Sequence, residues 1–448
     1  MMSYKNQFKL TPSPLNMDSP YFNQLRVEYN QCLEEGLDVE KYKDLVWAVS
    51  NIEDAQDRYR FANMVFDLLM KAEIKEGYPY QEPSDLEGIR ALRKPYRFEK
   101  KMPDAETLKD KILGAWYGRI CGCLLGKPVE GVKYDVLTDF LKCSGNFPMT
   151  RYIRRSDIDR EGIRTSCLAG EMPYAPWDDD TNYMVLAQML IEKHGKDFTP
   201  KNVMDLWVEK QPLPSYYTAE KVALLNYTKG YLPPDSAVYQ NPYREWIGAQ
   251  IRGDYFGYIN PDNPEMAAEM AFRDASISHV KNGIYGEMFV SAMLACAAVT
   301  DNIKDVIFGG LAEIPATSRL YEAILRLVER YDTGVSKEEA FADIHATWDD
   351  KDAHDWCHTI SNALVVVASL LYGEYDYGRS ICMAVETGFD TDCNGATVGS
   401  VLGMLLGEKG IGEEWKAPTH GILDTTISGA TKSEISALAE KTLEHLSK

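Results

Sequence analysis

ILGAWYGRICGCLLG (residues 112–126) and GATVGSVLGMLLG (residues 395–407) are the two stretches that decide the fold. Glycine recurs at every fourth position in both, at Gly114, Gly118, Gly122 and Gly126 and at Gly395, Gly399, Gly403 and Gly407. Four residues are close to one helical turn, so each set lies on one helix face. Because a glycine inside a helix costs about 1 kcal/mol relative to alanine, we expect another backbone to approach each face closely.

The rest of the C-terminal part is also helical in pattern. FVSAMLACAAV (289–299) and NALVVVASLLYG (362–373) are apolar nearly all round, as central helices are. Alternating apolar and polar positions, which indicate strands, are scarce. We therefore predict an all-α fold, with a compact multi-helix domain over residues 106–448.

The first hundred residues have a different pattern. Residues 24–75 carry Leu, Tyr, Glu and Lys at helical spacing, which predicts two or three amphipathic helices. A segment rich in proline and charge follows. We therefore predict that residues 1–105 form a helical N-terminal extension and linker.

Bulk composition narrows the function classes. The net charge of −20 argues against a nucleic-acid partner, which needs Lys and Arg stripes. We find no apolar stretch long enough for a membrane span, and residues 1–16 lack the apolar core of a secretory signal. Nine cysteines without framework spacing fit free thiols, so we expect a cytoplasmic protein. The composition leaves the oligomeric state open.

Three acidic motifs flank the packed helices. Glu130 follows the end of the first glycine-rich helix. Asp178, Asp179 and Asp180 lie at the start of another helix, and Asp390 and Asp392 lie at the start of the second glycine-rich helix. Aspartates at these places are ordinary N-caps in one interpretation. Clustered carboxylates repel one another, however, and their oxygens are the ligands that hard divalent cations prefer. The pattern therefore favours a Mg²⁺ site.

A second metal hypothesis concerns residues 345–358. His354 and His358 have the spacing of a zinc pair on one helix face. No third ligand is evident from the sequence, which favours a loop followed by a helix start.

These motifs together resemble the ADP-ribosylglycohydrolase family, from about residue 108 to the end of the chain. Residues 114–130 are similar to its opening G-D-A-L-G-x-P-x-E motif, 177–181 to its (T/S)-D-D-T motif, and 388–394 to its G-x-D-T-D motif. The resemblance implies an all-α domain of that family that holds two Mg²⁺ ions in a cleft, with Mn²⁺ as an alternative.

The resemblance also implies site residues. The metal-ligand positions are Asp178, Asp179, Asp180, Asp390, Asp392 and Cys393, and Glu130 falls near the metals. Residues 247–257 resemble the loop that holds ADP-ribose, which implies substrate contacts from Gly248, Gln250, Arg252 and Gly257, and from His279 further on. These residues also have ordinary alternative roles. The glycines could form turns, the arginine could pair with carboxylates, and the histidine could be a core residue.

Three positions depart from the family pattern. Asp178 and Cys393 replace a Thr or Ser, and Cys123 stands where an Asp is usual. Sulfur is a poor ligand for a hard ion, which argues against direct coordination by Cys393. These changes are typical of a subgroup with another substrate.

The implied function is metal-dependent hydrolysis of a ribosyl N- or O-glycosidic bond, with removal of ADP-ribose from a modified side chain such as arginine as the leading hypothesis. Glu130 and Asp179 are the carboxylates expected to move protons. The alternatives are hydrolysis of a free nucleoside, nucleotide or O-acyl-ADP-ribose, and ADP-ribose binding without catalysis.

Overall fold

The computed structural model describes residues 20–447. Within that range 21 α-helices and two short strands form, and the protein is 61% helical, which confirms the all-α prediction. The helices are α1 Leu25–Glu34, α2 Lys43–Ser50, α3 Ala55–Leu69, α4 Leu86–Ala91, α5 Ala105–Gly126, α6 Tyr134–Cys143, α7 Asp179–His194, α8 Pro200–Lys210, α9 Thr218–Thr228, α10 Asp235–Val238, α11 Asp254–Tyr258, α12 Pro264–Ala275, α13 Lys281–Ala297, α14 Ile303–Leu311, α15 Arg319–Asp332, α16 Lys337–Thr347, α17 Thr359–Tyr372, α18 Tyr377–Glu386, α19 Thr391–Leu406, α20 Glu413–Lys416 and α21 Ile435–His445. The strands β1 Ile422–Asp424 and β2 Lys432–Glu434 pair antiparallel, with Leu423 opposite Ser433.

The central contact joins α5 to α19 through their glycine faces. A Cβ atom added to Gly118 would lie 2.0 Å from the carbonyl oxygen of Gly399, and one added to Gly399 would lie 2.1 Å from that of Gly118. Gly122 and Gly395 meet in the same way, and so do Gly114 and Gly403. The expected close approach of two backbones is therefore present, and each helix is the partner of the other.

The glycine contact sets where the two helices end and begin. Gly126, the last residue of α5, lies against Thr391, the first residue of α19. The Thr391 hydroxyl donates a hydrogen bond of 2.9 Å to the Gly126 carbonyl. The turn Lys127–Val129 therefore leaves α5 beside the entry to α19, which brings Glu130 to the same place as Asp390 and Asp392.

The N-terminal extension contains the helices α1, α2 and α3, which agree with the amphipathic pattern of residues 24–75. They enclose a small apolar core of their own, which includes Leu25, Val46 and Leu69. The extension is tied to the rest of the protein by buried polar contacts, among them one from the Gln31 amide to Glu245 at 2.6 Å. The division near residue 105 stays a prediction.

No helix within residues 20–447 has the length and apolar character to cross a membrane. Residues 1–16, for which we expect no secretory signal, lie outside the described residues.

Replacing Gly118 by alanine tests the central contact. The added methyl group would meet a backbone carbonyl that cannot rotate away. We therefore expect the free energy of unfolding to fall by about 3 kcal/mol or more. Thermal unfolding measures the change. Gly334→Ala is the matched control, because Gly334 has a φ of +82° but nothing within 4 Å of the added atom. Its cost is only the backbone strain of about 1 kcal/mol. Equal melting temperatures for Gly118→Ala and the unaltered protein would contradict the packing described above.

Candidate metal centre and catalytic cavity

An acidic cavity of about 220 Å³ lies where the ends of α5, α7 and α19 meet. Acidic, basic and aromatic side chains line it, with a few apolar ones between them: Lys127, Glu130, Arg164, Trp177, Asp178, Asp179, Tyr217, Thr218, Glu220, Ile247, Gly248, Ile251, Trp356, Cys357, Asp390, Asp392 and Cys393. All residues predicted to hold metal or move protons are in this list except Asp180, which is fully buried in the first turn of α7. The structure thus brings together three motifs that are far apart in sequence.

Asp178 is engaged by the protein itself. It is the N-cap of α7, where its Oδ1 accepts a 3.1 Å hydrogen bond from the Asp180 backbone N–H. Its Oδ2 forms an ion pair with Lys127, whose ammonium also lies 5.4 Å from the centre of the Trp177 ring. Both oxygens therefore have donors, which favours the capping interpretation for this one aspartate.

Asp180 is held from the glycine-rich helix. Arg119 of α5 is fully buried and bridges Asp180 and Asp254, with both ion pairs at 2.9 Å. Its Nε–H also donates to the Asp180 carbonyl at 2.9 Å. Sequence reasoning missed Arg119, although a single charged residue inside the apolar stretch 112–126 was the available signal.

Several buried carboxylate oxygens among residues 20–447 lack a donor, and two of them lie at this site. Asp180 Oδ2 and Asp392 Oδ1 have no hydrogen-bond partner among residues 20–447. Burial and neighbouring carboxylates raise the pKa of Asp392 and of Asp179 well above the ordinary range for aspartate. Since a hard cation supplies the missing charge and accepts oxygen ligands, this set of residues fits a divalent metal ion.

The backbone before Asp390 is strained. Phe389 is buried and has a φ of +58°, directly after Gly388 with a φ of +76°. A bulky residue in the left-handed region costs free energy and is typical of functional sites. This bend carries the chain into α19, and the Asp390 N–H then donates 3.1 Å to the Asn362 side-chain oxygen.

The cysteines of the site are poor candidates for thiolate ligands. Burial, followed by the neighbouring aspartates, raises the pKa values of Cys393 and Cys123 well above the usual value, so both remain neutral thiols. Cys357, which sequence reasoning did not single out, points its thiol at Asp390 Oδ2 at 3.3 Å. Sulfur at this site donates weak hydrogen bonds to carboxylates, which agrees with the expectation for Cys393.

Glu130 is half-buried and forms an ion pair with Arg164. Burial, then Asp390 and Asp178, raise the pKa of its carboxyl group, and Arg164 opposes the shift. A carboxyl group whose pKa is raised by burial is a candidate to take up and release a proton.

Three residues of the predicted substrate loop line the cavity, namely Ile247, Gly248 and Ile251, and of these Gly248 is a predicted substrate contact. Gly248 is at its wall, where a Cβ atom would lie 2.2 Å from a carboxylate oxygen of Glu220. Gly257 is buried, and a Cβ atom there would lie 2.5 Å from the Ser291 carbonyl. Both glycines therefore serve close packing.

The polar residues of that set lie behind the cavity wall. Arg252 is buried and forms ion pairs with Glu220, at 2.6 Å, and with Asp274. These contacts agree with the alternative in which the arginine pairs with carboxylates of the protein. Gln250 accepts a 2.9 Å hydrogen bond from the Thr359 hydroxyl. His279 is buried and contacts Ser278 through Nδ1 at 2.8 Å. None of these three is among the residues that line the cavity.

The histidine pair gains a third neighbour from the extension, because ligand atoms of Glu34, His354 and His358 lie within 4.8 Å of one another. The Trp246 indole N–H donates to His354 Nδ1, and the Ile360 N–H donates to His358 Nδ1, both at 3.1 Å. Each neutral ring must therefore carry its proton on Nε2, the atom that faces Glu34. That proton occupies the lone pair that zinc needs, so the cluster is a structural contact at the start of α17.

Comparison with known proteins gives one family. Residues 104–448 match the family model described as ADP-ribosylglycohydrolase. No curated protein matches the chain. A solved structure titled "ADP-ribosylglycohydrolase-related protein complex" is 18% identical, with a TM-score of 0.46, over 76% of this chain and 99% of that one.

Replacing Lys127 by methionine tests the charge balance of the cavity. The change leaves Asp178 facing other carboxylates without its counter-charge, so we expect the metal-free protein to lose about 3 kcal/mol of stability. Added Mg²⁺ should raise the melting temperature more in this variant than in the unaltered protein, because a cation replaces the lost charge. Lys409→Met is the control, since the Lys409 side chain is 74% exposed. Identical melting curves for the two variants would refute the role given to Lys127.

Proposed function

The chain belongs to the ADP-ribosylglycohydrolase family, and from that membership we propose that it is a divalent-cation-dependent hydrolase of a ribosyl bond. The family supports a glycohydrolase activity. The observation that carries the cation dependence is the pair of buried, donorless oxygens on Asp180 and Asp392 beside a cavity rich in carboxylates.

Asp179, Asp180, Asp390 and Asp392 would hold the cation. Mg²⁺ is the first choice and Mn²⁺ the second, with two ions expected from the family resemblance. When bound, the cation orients the ribose hydroxyl groups and lowers the pKa of a water molecule. Asp178 is less suited to this task, because Lys127 and a backbone N–H already use its oxygens.

Glu130 and Asp179 are the proton carriers in this proposal. Both line the cavity, and in the metal-free protein burial raises the pKa of each. A cation held by Asp179 would oppose that shift at Asp179, so Glu130 is the carrier that keeps it. One carboxyl group protonates the departing group while the other accepts a proton from the attacking water, as in other glycosidases. The surrounding carboxylates stabilise the positive charge that develops on the ribose in the transition state.

The leading substrate is a protein side chain, such as arginine, that carries ADP-ribose. Family members of this type act on ADP-ribose conjugates, and the ribose next to the cleaved bond is the part that must enter the cavity. Trp177, Trp356 and Tyr217 line the cavity and provide flat surfaces for a sugar or a base.

The size of the cavity favours a second candidate. Pockets for drug-sized ligands usually measure about 300–1,000 Å³, and this one is about 220 Å³. Arg252, the predicted substrate contact that could bind a diphosphate, already forms buried ion pairs with Glu220 and Asp274. A free nucleoside, which is small and has no diphosphate, meets both limits best. A nucleotide and an O-acyl-ADP-ribose are the other members of this alternative. Binding of ADP-ribose without catalysis is the weaker alternative, because a protein that only binds this ligand has no need of clustered carboxylates in the cavity.

We also propose that the protein works in the cytoplasm. Its nine cysteines are free thiols, which suits a reducing compartment.

Release of free ADP-ribose from a protein ADP-ribosylated on arginine tests the leading substrate. We expect release with Mg²⁺ and none with EDTA, because the chelator removes the cation that the carboxylates require. Parallel reactions with nucleosides, nucleotides and O-acetyl-ADP-ribose test the second candidate. Activity that persists in EDTA would overturn the cation dependence, and tight ADP-ribose binding without turnover of any substrate would leave a binding protein.

Substitution of the carboxylates gives an independent test. We expect Asp392→Ala and Asp179→Ala to abolish Mg²⁺-dependent activity, while circular dichroism shows an intact helical fold. Loss of one buried like charge relieves repulsion, so the metal-free variants should unfold no more easily than the unaltered protein. Cys393→Thr is the matched control and should retain activity, since its thiol is neutral. Full activity of either aspartate variant at saturating Mg²⁺ would refute the assignment.

A further inference from the structure

A second cavity, of about 410 Å³, lies on the other side of the loop that leads into α17. Residues of α15, of α16 and of the first turns of α17 line it, together with Glu34 and Tyr80 of the N-terminal extension. It is larger than the catalytic cavity and falls within the size range of small-molecule sites. The glycohydrolase proposal does not use it.

Helix α15 contributes three arginine side chains to this cavity, and not all of their N–H groups have an acceptor. Arg319, Arg326 and Arg330 lie on one face of the helix and line the cavity. Arg319 is paired with Glu82 and Glu245, and Arg330 with Asp343. Arg326 is exposed at the rim of the cavity and forms no ion pair or hydrogen bond with residues 20–447, whereas the Nε–H of Arg330 is buried without an acceptor. Both unmatched groups are donors, one helical turn apart.

The carboxylates of the cavity, by contrast, are engaged. Glu322 accepts from the Tyr80 hydroxyl at 3.1 Å, and Asp355 accepts from the Asp349 backbone N–H at 3.0 Å. Glu34 faces the two histidines, and Asp343 faces Arg330. The cavity therefore has four carboxylates and three arginines, and its unmatched groups are the two arginine donors named above.

The remaining surface is apolar. Leu327, Ile344, Ile360 and Leu364 line the cavity together with the Trp348 indole. Leu327, Ile344 and Ile360 are nearly inaccessible to solvent, so this surface is rigid core rather than loop. A ring-shaped apolar body would gain contacts on several sides there, at about 25 cal/mol for each Å² that it removes from water.

We propose that this cavity is a second ligand site, for a small molecule that carries one carboxylate on an aromatic or alicyclic ring. The carboxylate binds Arg326 and the free Nε–H of Arg330, and the ring packs against the leucine and isoleucine side chains. Glu34 and Tyr80 complete the site, which gives the N-terminal extension a function in binding.

The site adjoins the catalytic cavity without sharing its residues. Asp355 lines the second cavity, whereas its neighbours Trp356 and Cys357 line the catalytic one. Binding at the second site therefore does not require the catalytic carboxylates.

The test measures binding of naphthalene-2-carboxylate and of its neutral carboxamide to the full chain by isothermal titration calorimetry. We expect the carboxylate to bind about tenfold more tightly, because it adds charge-assisted hydrogen bonds to the same apolar contacts. Arg326→Gln should remove this preference. Arg60→Gln, at a side chain that is 74% exposed on α3, is the matched control and should preserve it. Asp392→Ala should also preserve it, since Asp392 belongs to the other cavity.

Three results would overturn the proposal: no binding of the carboxylate at millimolar concentration, equal binding of carboxylate and carboxamide, or an unchanged preference in Arg326→Gln. Loss of binding in Asp392→Ala would instead place the probe in the catalytic cavity and equally reject the second site. Melting temperatures of the variants verify that each remains folded.

Discussion

The contact between the backbones of α5 and α19 is the constraint on which the rest of the structure depends. Helices usually pack about 8–10 Å apart, with side chains between them, whereas here the glycine faces bring carbonyl oxygens to the positions of absent Cβ atoms. This contact fixes the relative height of the two helices, so that one ends where the other begins. The acidic cavity lies at that junction, and its geometry follows from the helix pair.

The carboxylates of the cavity are only partly compensated by positive charges. Six carboxylates from three motifs gather where little water reaches them, and among residues 20–447 the cations Arg119, Lys127 and Arg164 form ion pairs with them. Raised pKa values and donorless oxygens are the signs of incomplete compensation. A fold that concentrates like charges in this way must offset their repulsion with the rest of its core, and the proposed cation would supply the compensation that is still missing.

The sequence predicted the all-α class, the close glycine contact and the meeting of Glu130 with the two aspartate motifs, because each rests on local periodicity or on helix ends. It did not predict Arg119 or Lys127 as partners, since an ion pair between residues 51 or more positions apart depends on three-dimensional packing. Arg252 and His279 illustrate the same limit. Their residue types suit a substrate, but the neighbouring helices enclose them in a buried polar network. Glu34 had no local signal at all, because it reaches the histidine pair from the extension.

The glycine contact also limits how this protein can change over evolution. An inserted or deleted residue inside α5 or α19 would rotate the following turn by about 100° and turn side chains towards the partner backbone. Length changes within residues 114–126 and 395–407 are therefore incompatible with the fold, whereas surface loops tolerate them. Relatives of this protein should align through both segments without gaps, and their divergence should accumulate in the loops that border the cavity.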